Sequence, residues 1–148
     1  MNYEQFVTES NRIEGILRPP LPTEIIATQA FVEGDTPTIE TLSTLALVFT
    51  NGEGVLRESE LMNVRVGAHV APRGGPQIKA RLKNLLETIE SADPFDFHVN
   101  YETLHPFMDG NGRTGRALWA WQMYRIAPAY LALGFLHAFY YQTLSHSR

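Results

Sequence analysis

An all-α domain, a bundle of about six or more helices with one small β-hairpin, is what the sequence predicts, and three observations carry it. Apolar residues recur at helical spacing in six separate stretches, whereas a period of two appears only around Val64 to Val70. Turn-forming residues fall between those stretches, as at Gly15, Asn51-Gly52 and Gly74-Gly75. The chain has 148 residues, 44% of them hydrophobic and 19% charged, which suits one globular domain and leaves no room for a second.

The first stretch, residues 2–14, sets Tyr3, Phe6, Val7 and Ile13 near one helical face and stops at Gly15. By default it reads as the opening helix of the fold, with a separate functional element as the alternative; Pro19, Pro20 and Pro22 then forbid helix and form a short stiff connector. A second helix is expected from a Thr36 cap and Pro37 to the stop at Asn51-Gly52, with Ile39, Leu42, Leu45, Ala46 and Phe49 inward. From Met62 to Gly75, Val64, Val66, Ala68 and Val70 alternate with Arg65, Gly67 and His69, as in a strand or half a hairpin, and Pro72 turns the chain. Ile78, Leu82, Leu85, Leu86 and Ile89 mark the cleanest amphipathic helix. Asp93-Pro94 caps another that runs to about Leu104. After a polar loop, residues 113–125 read as helix, Pro128 breaks it, and Tyr130 to Leu144 forms the last helix.

Composition excludes several functions. Lys and Arg number 12 against 16 Asp and Glu, a net charge of −4, so no field draws nucleic acid or an anionic membrane surface. Without cysteine there are no disulfides, no thiolate chemistry and no Cys-ligated zinc or iron–sulfur centre. MNYEQFVTESNR lacks the basic and apolar regions of a secretory signal. Ala117 to Tyr141 is the most membrane-like stretch, but Gln122, Arg125, Pro128 and His137 interrupt it. One Arg at mid-span costs about 2.5–3.5 kcal/mol, and a protein core suits the stretch better. Cytoplasm is the expected location, with a secreted effector left open.

The chemistry concentrates in His105-Pro-Phe-Met-Asp-Gly-Asn-Gly-Arg-Thr-Gly-Arg116. Gly110 and Gly112 let successive backbone N–H groups of the loop point inward just ahead of a helix N-terminus, a concavity that binds anions. Arg113 and Arg116, three apart, are expected to leave one face of the first helical turn. Cations are disfavoured at that end of a helix, so their presence there points to a partner with several negative charges, such as a polyphosphate. Asp109 offers an oxygen of the kind Mg²⁺ takes when phosphates also hold it. His105 takes a proton near neutral pH. The segment has neither the Lys-Ser/Thr pair of a P-loop nor the spacing of an H-E-x-x-H zinc site.

These residues resemble the signature of the Fic family, His-x-Phe-x-(Asp/Glu)-Gly-Asn-Gly-Arg-x-x-Arg, at every specified position. Gly54 to Arg57, Asn63 to Gly67, the Pro72 turn and the helix over 77–90 resemble the family's flap region, and His98 and Tyr101 lie in the helix leading to the motif. The resemblance implies a Fic-type helical bundle that transfers AMP from ATP to a Ser, Thr or Tyr hydroxyl of a target protein. His105 would be the base and Asp109 would hold Mg²⁺. Gly110, Asn111 and Gly112 would line the anion hole, and Arg113 and Arg116 would grip the β- and γ-phosphates. Phe107 reads as a core anchor. An exposed strand edge over Val64, Arg65, Val66, Gly67, Ala68, His69 and Val70 would pair with an extended target segment, or else merely cover the core.

Ser10-Asn11-Arg12-Ile13-Glu14-Gly15 resembles the family's inhibitory pattern, (Ser/Thr)-x-x-x-Glu-(Gly/Asn). The resemblance implies an inhibitory helix and Pro-rich connector over residues 1–18 and a Fic core over 19–148, compact as one domain. Glu14 would pair with Arg116, and a bidentate, charge-assisted pair is specific enough to keep a γ-phosphate out. Some relatives use the same Glu to position a water that removes AMP, and the sequence leaves both roles open. Also open are a Doc-like kinase, whose loop carries Lys where Gly112 stands, another nucleotide donor such as UTP, an inert nucleotide-binding module, and a homo-oligomer. Tyr140 or Tyr141 reads as a core tyrosine or a residue that stacks on the base.

Overall fold

The computed structural model describes residues 1–146, with the Tyr140 side chain outside the described part. Helix α1, Tyr3–Ile13, starts where the Asn2 side chain accepts from the Gln5 N–H, and it buries Tyr3, Phe6, Val7, Ser10 and Asn11. Gly15, at φ 77°, turns the chain out of it.

The proline connector is shorter than expected, because Pro22 opens a helix rather than forbidding one: α2 is Pro22–Val32. Proline at a first helical position loses no hydrogen bond. Its buried residues are Glu24, Thr28 and Val32, two of them polar, so its inward stripe carries little apolar pattern. Glu24 is fully buried. Its Oε1 accepts from the Leu21 N–H at 2.8 Å, and the carboxylate takes both ends of the Arg18 guanidinium, at 2.9 and 3.1 Å. Burial pushes the Glu24 carboxyl up, but Arg18 and the Leu21 N–H outweigh it and hold it below its ordinary value.

Helix α3, Ile39–Thr50, is capped by Thr38 rather than Thr36. The Thr36 hydroxyl instead donates to Glu90 at 2.6 Å. Asn51 ends α3 in the left-handed region at φ 53°. The β element is smaller than the alternation implies. Strand β1, Arg65–Val66, pairs antiparallel with β2, His69–Val70, with Arg65 opposite Val70 and Val66 opposite His69. All four residues are exposed, so the alternation marks no buried face.

Helices α4 (Pro76–Leu86) and α5 (Pro94–Leu104) match the pattern, with Ile89 buried in the turn between them and Asp93 capping α5. Helix α6, Asn111–Ile126, begins earlier than expected. Nearly every residue from Asn111 to Met123 is buried, which makes α6 the central helix rather than a membrane span. One core sets Leu42, Ile78, Leu82, Phe97, Tyr101 and Leu118 together, and another sets Phe6, Val7, Trp119 and Phe135 together. The last helix is split: Pro128 starts a short α7, Pro128–Leu131, and Gly134 at φ 92° turns the chain into α8, Phe135–His146. Eight helices and one hairpin thus make up the described residues, and no helix among them is long and apolar enough to cross a membrane.

Leu82 is fully buried, whereas Leu61 is 92% exposed. Leu82→Ala should cost about 2–5 kcal/mol in urea unfolding. Leu61→Ala should stay within about 0.5 kcal/mol of the parent.

Candidate functional site

The site is the corner between α5 and α6. His105 caps α5 at φ 49° and ψ 63°, and its N–H donates to Tyr101 O at 3.0 Å. Its ring Nδ1 lies 2.6 Å from the Glu102 carbonyl, which only accepts, so Nδ1 carries the hydrogen. Nε2 is left as the basic nitrogen of the neutral ring. Two residues on, Phe107 is fully buried, the anchor its position implies, and forms a bridge with Leu56. The Asn111 side chain accepts from the Phe107 N–H at 2.9 Å and donates to Phe107 O at 2.7 Å. It is therefore committed to shaping the loop.

Gly110, at φ 84°, is the N-cap of α6, so Asn111, Gly112 and Arg113 form the first helical turn instead of the loop. Their N–H groups have no partner within the helix, which makes this end an anion seat. Asp109 is exposed, and its Oδ1 accepts from the Gly110 N–H at 2.8 Å, leaving the second oxygen for a ligand. A lone carboxylate at the rim of a phosphate seat fits Mg²⁺, which keeps waters and shares phosphate oxygens. A cleft of about 680 Å³ brings together His105, Asp109, Gly110, Asn111, Gly112 and Arg113 with Glu14 and Glu102. From the hairpin side Val64, Arg65 and Val66 also line it, while Gly67, Ala68, His69 and Val70 do not. His69 reaches α5 instead, with Nε2 3.0 Å from Thr103 O.

The two motif arginines diverge. Arg113 donates to Phe49 O, at the end of α3, at 2.5 Å, and its Nε is buried without a hydrogen-bond partner among the described residues. Burial pulls the Arg113 guanidinium below its ordinary pKa, opposed by the charges of Asp109 and Glu14. Arg116 is only 4% exposed and turns to α1. Its Nε donates to Ser10 Oγ at 2.7 Å, and its Nη2 donates to Ser10 O at 2.9 Å and to Glu14 Oε1 at 2.7 Å. Glu14 is thus held by one bond rather than a bidentate pair. The same Glu14 oxygen lies against Gly112, where any β-carbon would collide with it. A carboxylate therefore occupies the mouth of the anion seat.

Two further groups went unremarked in the sequence as site residues. Glu102 turns toward this cluster, with Oε1 buried and without a hydrogen-bond partner among the described residues. Burial raises its carboxyl to about 7, with Arg116 opposing and Glu14 adding to the rise. His98 is buried, with Nε2 3.8 Å from Glu102 Oε1, and burial lowers its pKa to about 4. The signal was the spacing of His98, Glu102 and His105 on one helical face. Of the two tyrosines near the end, Tyr141 is 52% exposed and so no core residue, and the Tyr140 side chain lies outside the described ones.

A family model, described as Fic/DOC family, matches residues 23–123, more than half of the chain. The chain belongs to the Fic/DOC family, whose members are typically enzymes of the nucleotidyltransferase kind. No curated protein matches it. The matched span begins within α2 and leaves α1 outside.

The raised Glu102 pKa has a sign in stability. Between the ordinary carboxyl value of 4.5 and about 7 the folded chain holds more protons at Glu102 than the unfolded chain. Glu102 therefore destabilises progressively as pH rises through that window. Glu102→Gln should gain on the parent from pH 5 to pH 8 in urea midpoints and level off above. A constant difference across that range would place the Glu102 pKa at its ordinary value.

Proposed function

We propose that this member of the Fic/DOC family is a protein adenylyltransferase, moving AMP from ATP to a hydroxyl of a target protein, with α1 as its brake. One observation carries the reading: the His105 imidazole, the Asp109 carboxylate and the bare N-terminus of α6 share a single cleft. The target hydroxyl oxygen forms a bond to the α-phosphorus, and the bond from that phosphorus to the bridging oxygen of the β-phosphate breaks. Pyrophosphate leaves with the electron pair, and the hydroxyl proton passes to Nε2 of His105. The Glu102 carbonyl, accepting from Nδ1, orients the ring and favours the imidazolium that forms. The N–H groups of Asn111, Gly112 and Arg113 hold phosphate oxygens, and Arg113 adds a full charge beside them. Mg²⁺ on Asp109, when bound, would neutralise phosphate charge.

Glu14 supplies the restraint. Its carboxylate lies against Gly112 and binds Arg116, so a phosphate entering the seat meets like charge and finds one guanidinium engaged. Removal of AMP by a water on Glu14 is a second reading, favoured by Glu14 lining the same cleft as His105. The strand β1 edge beside the cleft suits an extended protein segment paired through main-chain bonds.

The test is α-labelled ATP with Mg²⁺ and a cytoplasmic lysate. Glu14→Gly should label protein well above the parent, and Glu14→Gly/His105→Ala should lose that label by about 10²–10⁴-fold while still binding nucleotide. Folded variants that take no α-label would overturn the transferase reading. Label from γ-labelled ATP would favour a kinase instead. Loss of label from a pre-labelled target with Glu14 intact, but not with Glu14→Gly, would favour AMP removal.

A further inference from the structure

Among the described residues Arg57 is the one fully buried arginine, and the phosphate seat does not use it. Its guanidinium is spent on backbone carbonyls. Nε donates to His105 O at 2.6 Å and Nη2 to Leu104 O at 2.9 Å, the two carbonyls that end α5. Nη1 donates to Pro72 O at 2.7 Å and Met62 O at 3.2 Å, one on each side of the hairpin. Its own backbone joins the same node, since the Arg57 N–H donates to Pro106 O at 2.9 Å and its carbonyl accepts from the Gly75 N–H at 3.0 Å. Burial lowers its pKa, and no carboxylate offsets this among the described residues.

A buried charge held only by carbonyls is costly, so the arrangement calls for a reason. The carbonyls of α5 sit at the negative end of that helix and suit a cation. His105 is one of two described non-glycine residues at positive φ, a conformation that persists only where surroundings over-determine it. Arg57 grips the carbonyl of that residue. No other natural side chain offers five donors in a flat fork able to reach four carbonyls at once.

We propose that Arg57 is a positioning residue that locks the hairpin and the His105 backbone into one unit, so that the surface on which a target segment docks and the base that takes its proton keep a fixed separation. This rests on the reading of His105 as base. Arg57 touches neither nucleotide nor target. Its loss should lower turnover and weaken target binding while leaving the phosphate seat alone, because that seat is set by Gly110 and Asn111.

The experiment uses the full chain with Glu14→Gly, which first has to label protein from α-labelled ATP; if it does not, the transferase reading fails and Arg57 is not in question. In that background Arg57→Lys keeps the charge but reaches fewer carbonyls. The expected result is a fall of about 10–100-fold in kcat and a raised KM for target, with ATP affinity within about twofold. Turnover within twofold of the parent, or ATP affinity falling in step with kcat, would overturn the proposal. If Arg57→Lys does not fold, ¹⁵N spectra of the parent decide. A locked Arg57 shows separate Nη resonances and slow exchange of its Nε hydrogen, and averaged, rapidly exchanging signals would overturn it.

Discussion

Asn111 exchanges two hydrogen bonds with the backbone of Phe107, and the site depends on that small closed loop. The chain must leave α5, reverse, and enter α6 within six residues, His105 to Gly110. A reversal that tight exposes helix-end carbonyls on one side and helix-start N–H groups on the other. Phe107 anchors the corner by being buried, Asn111 satisfies the peptide groups buried with it, and His105 and Gly110 absorb the turn in left-handed conformations. His105 and the free N–H groups of the first turn of α6 consequently stand at fixed places on the two rims of one corner.

The charges around that corner follow an unusual distribution. Arg57, Arg113 and Arg116 are all buried, yet only Arg116 meets a carboxylate within ion-pair distance among the described residues. Arg57 and Arg113 rest on carbonyls at the ends of α5 and α3, where the helix dipole makes up part of the missing negative charge. Arg113 still keeps one nitrogen unmatched. Such a cluster is short of anions, and Glu14 with its oxygen against Gly112 answers part of that shortage from outside the corner. Glu102, by contrast, is crowded enough that its carboxyl is raised to about 7. Burial is the main cause and the Glu14 charge adds to it, while Arg116 works against both.

Much of this was readable in the residue order, and the failures share a cause. Helices with a clean apolar stripe, such as α4, and those with a Pro or Asn boundary, such as α5 and the end of α3, fell close to their observed limits. Helix α2 escaped because its inward face is Glu24, Thr28 and Val32, so periodicity had nothing apolar to follow. The hairpin misled in the opposite way: its valines alternate, but Val66 and Val70 face solvent. Within the site, His105, Asp109, Gly110, Asn111, Gly112 and Arg113 share one cleft, whereas Arg116 does not line it. Spacing placed Arg113 and Arg116 on one face, yet they diverge, because which way each side chain runs is decided by α3 and α1, far away in the chain.

Helix α1 is built into the molecule rather than strapped onto it. Phe6 and Val7 share a core with Trp119, Glu9 accepts from the Leu136 N–H at the start of α8, and Asn11 reaches the buried Glu24. Undocking the helix would expose Tyr3, Phe6 and Val7, each buried apolar side chain being worth about 1.5–3 kcal/mol. The Glu14 contact is of another order: its side chain is 39% exposed, it meets Arg116 through one bond, and Gly15 follows it at positive φ. Screening by water keeps a pair of that exposure to a small fraction of the helix's docking energy. Rotation of the Glu14 side chain alone would break that contact with α1 left in its core, so separating Glu14 from Arg116 costs far less than undocking the helix.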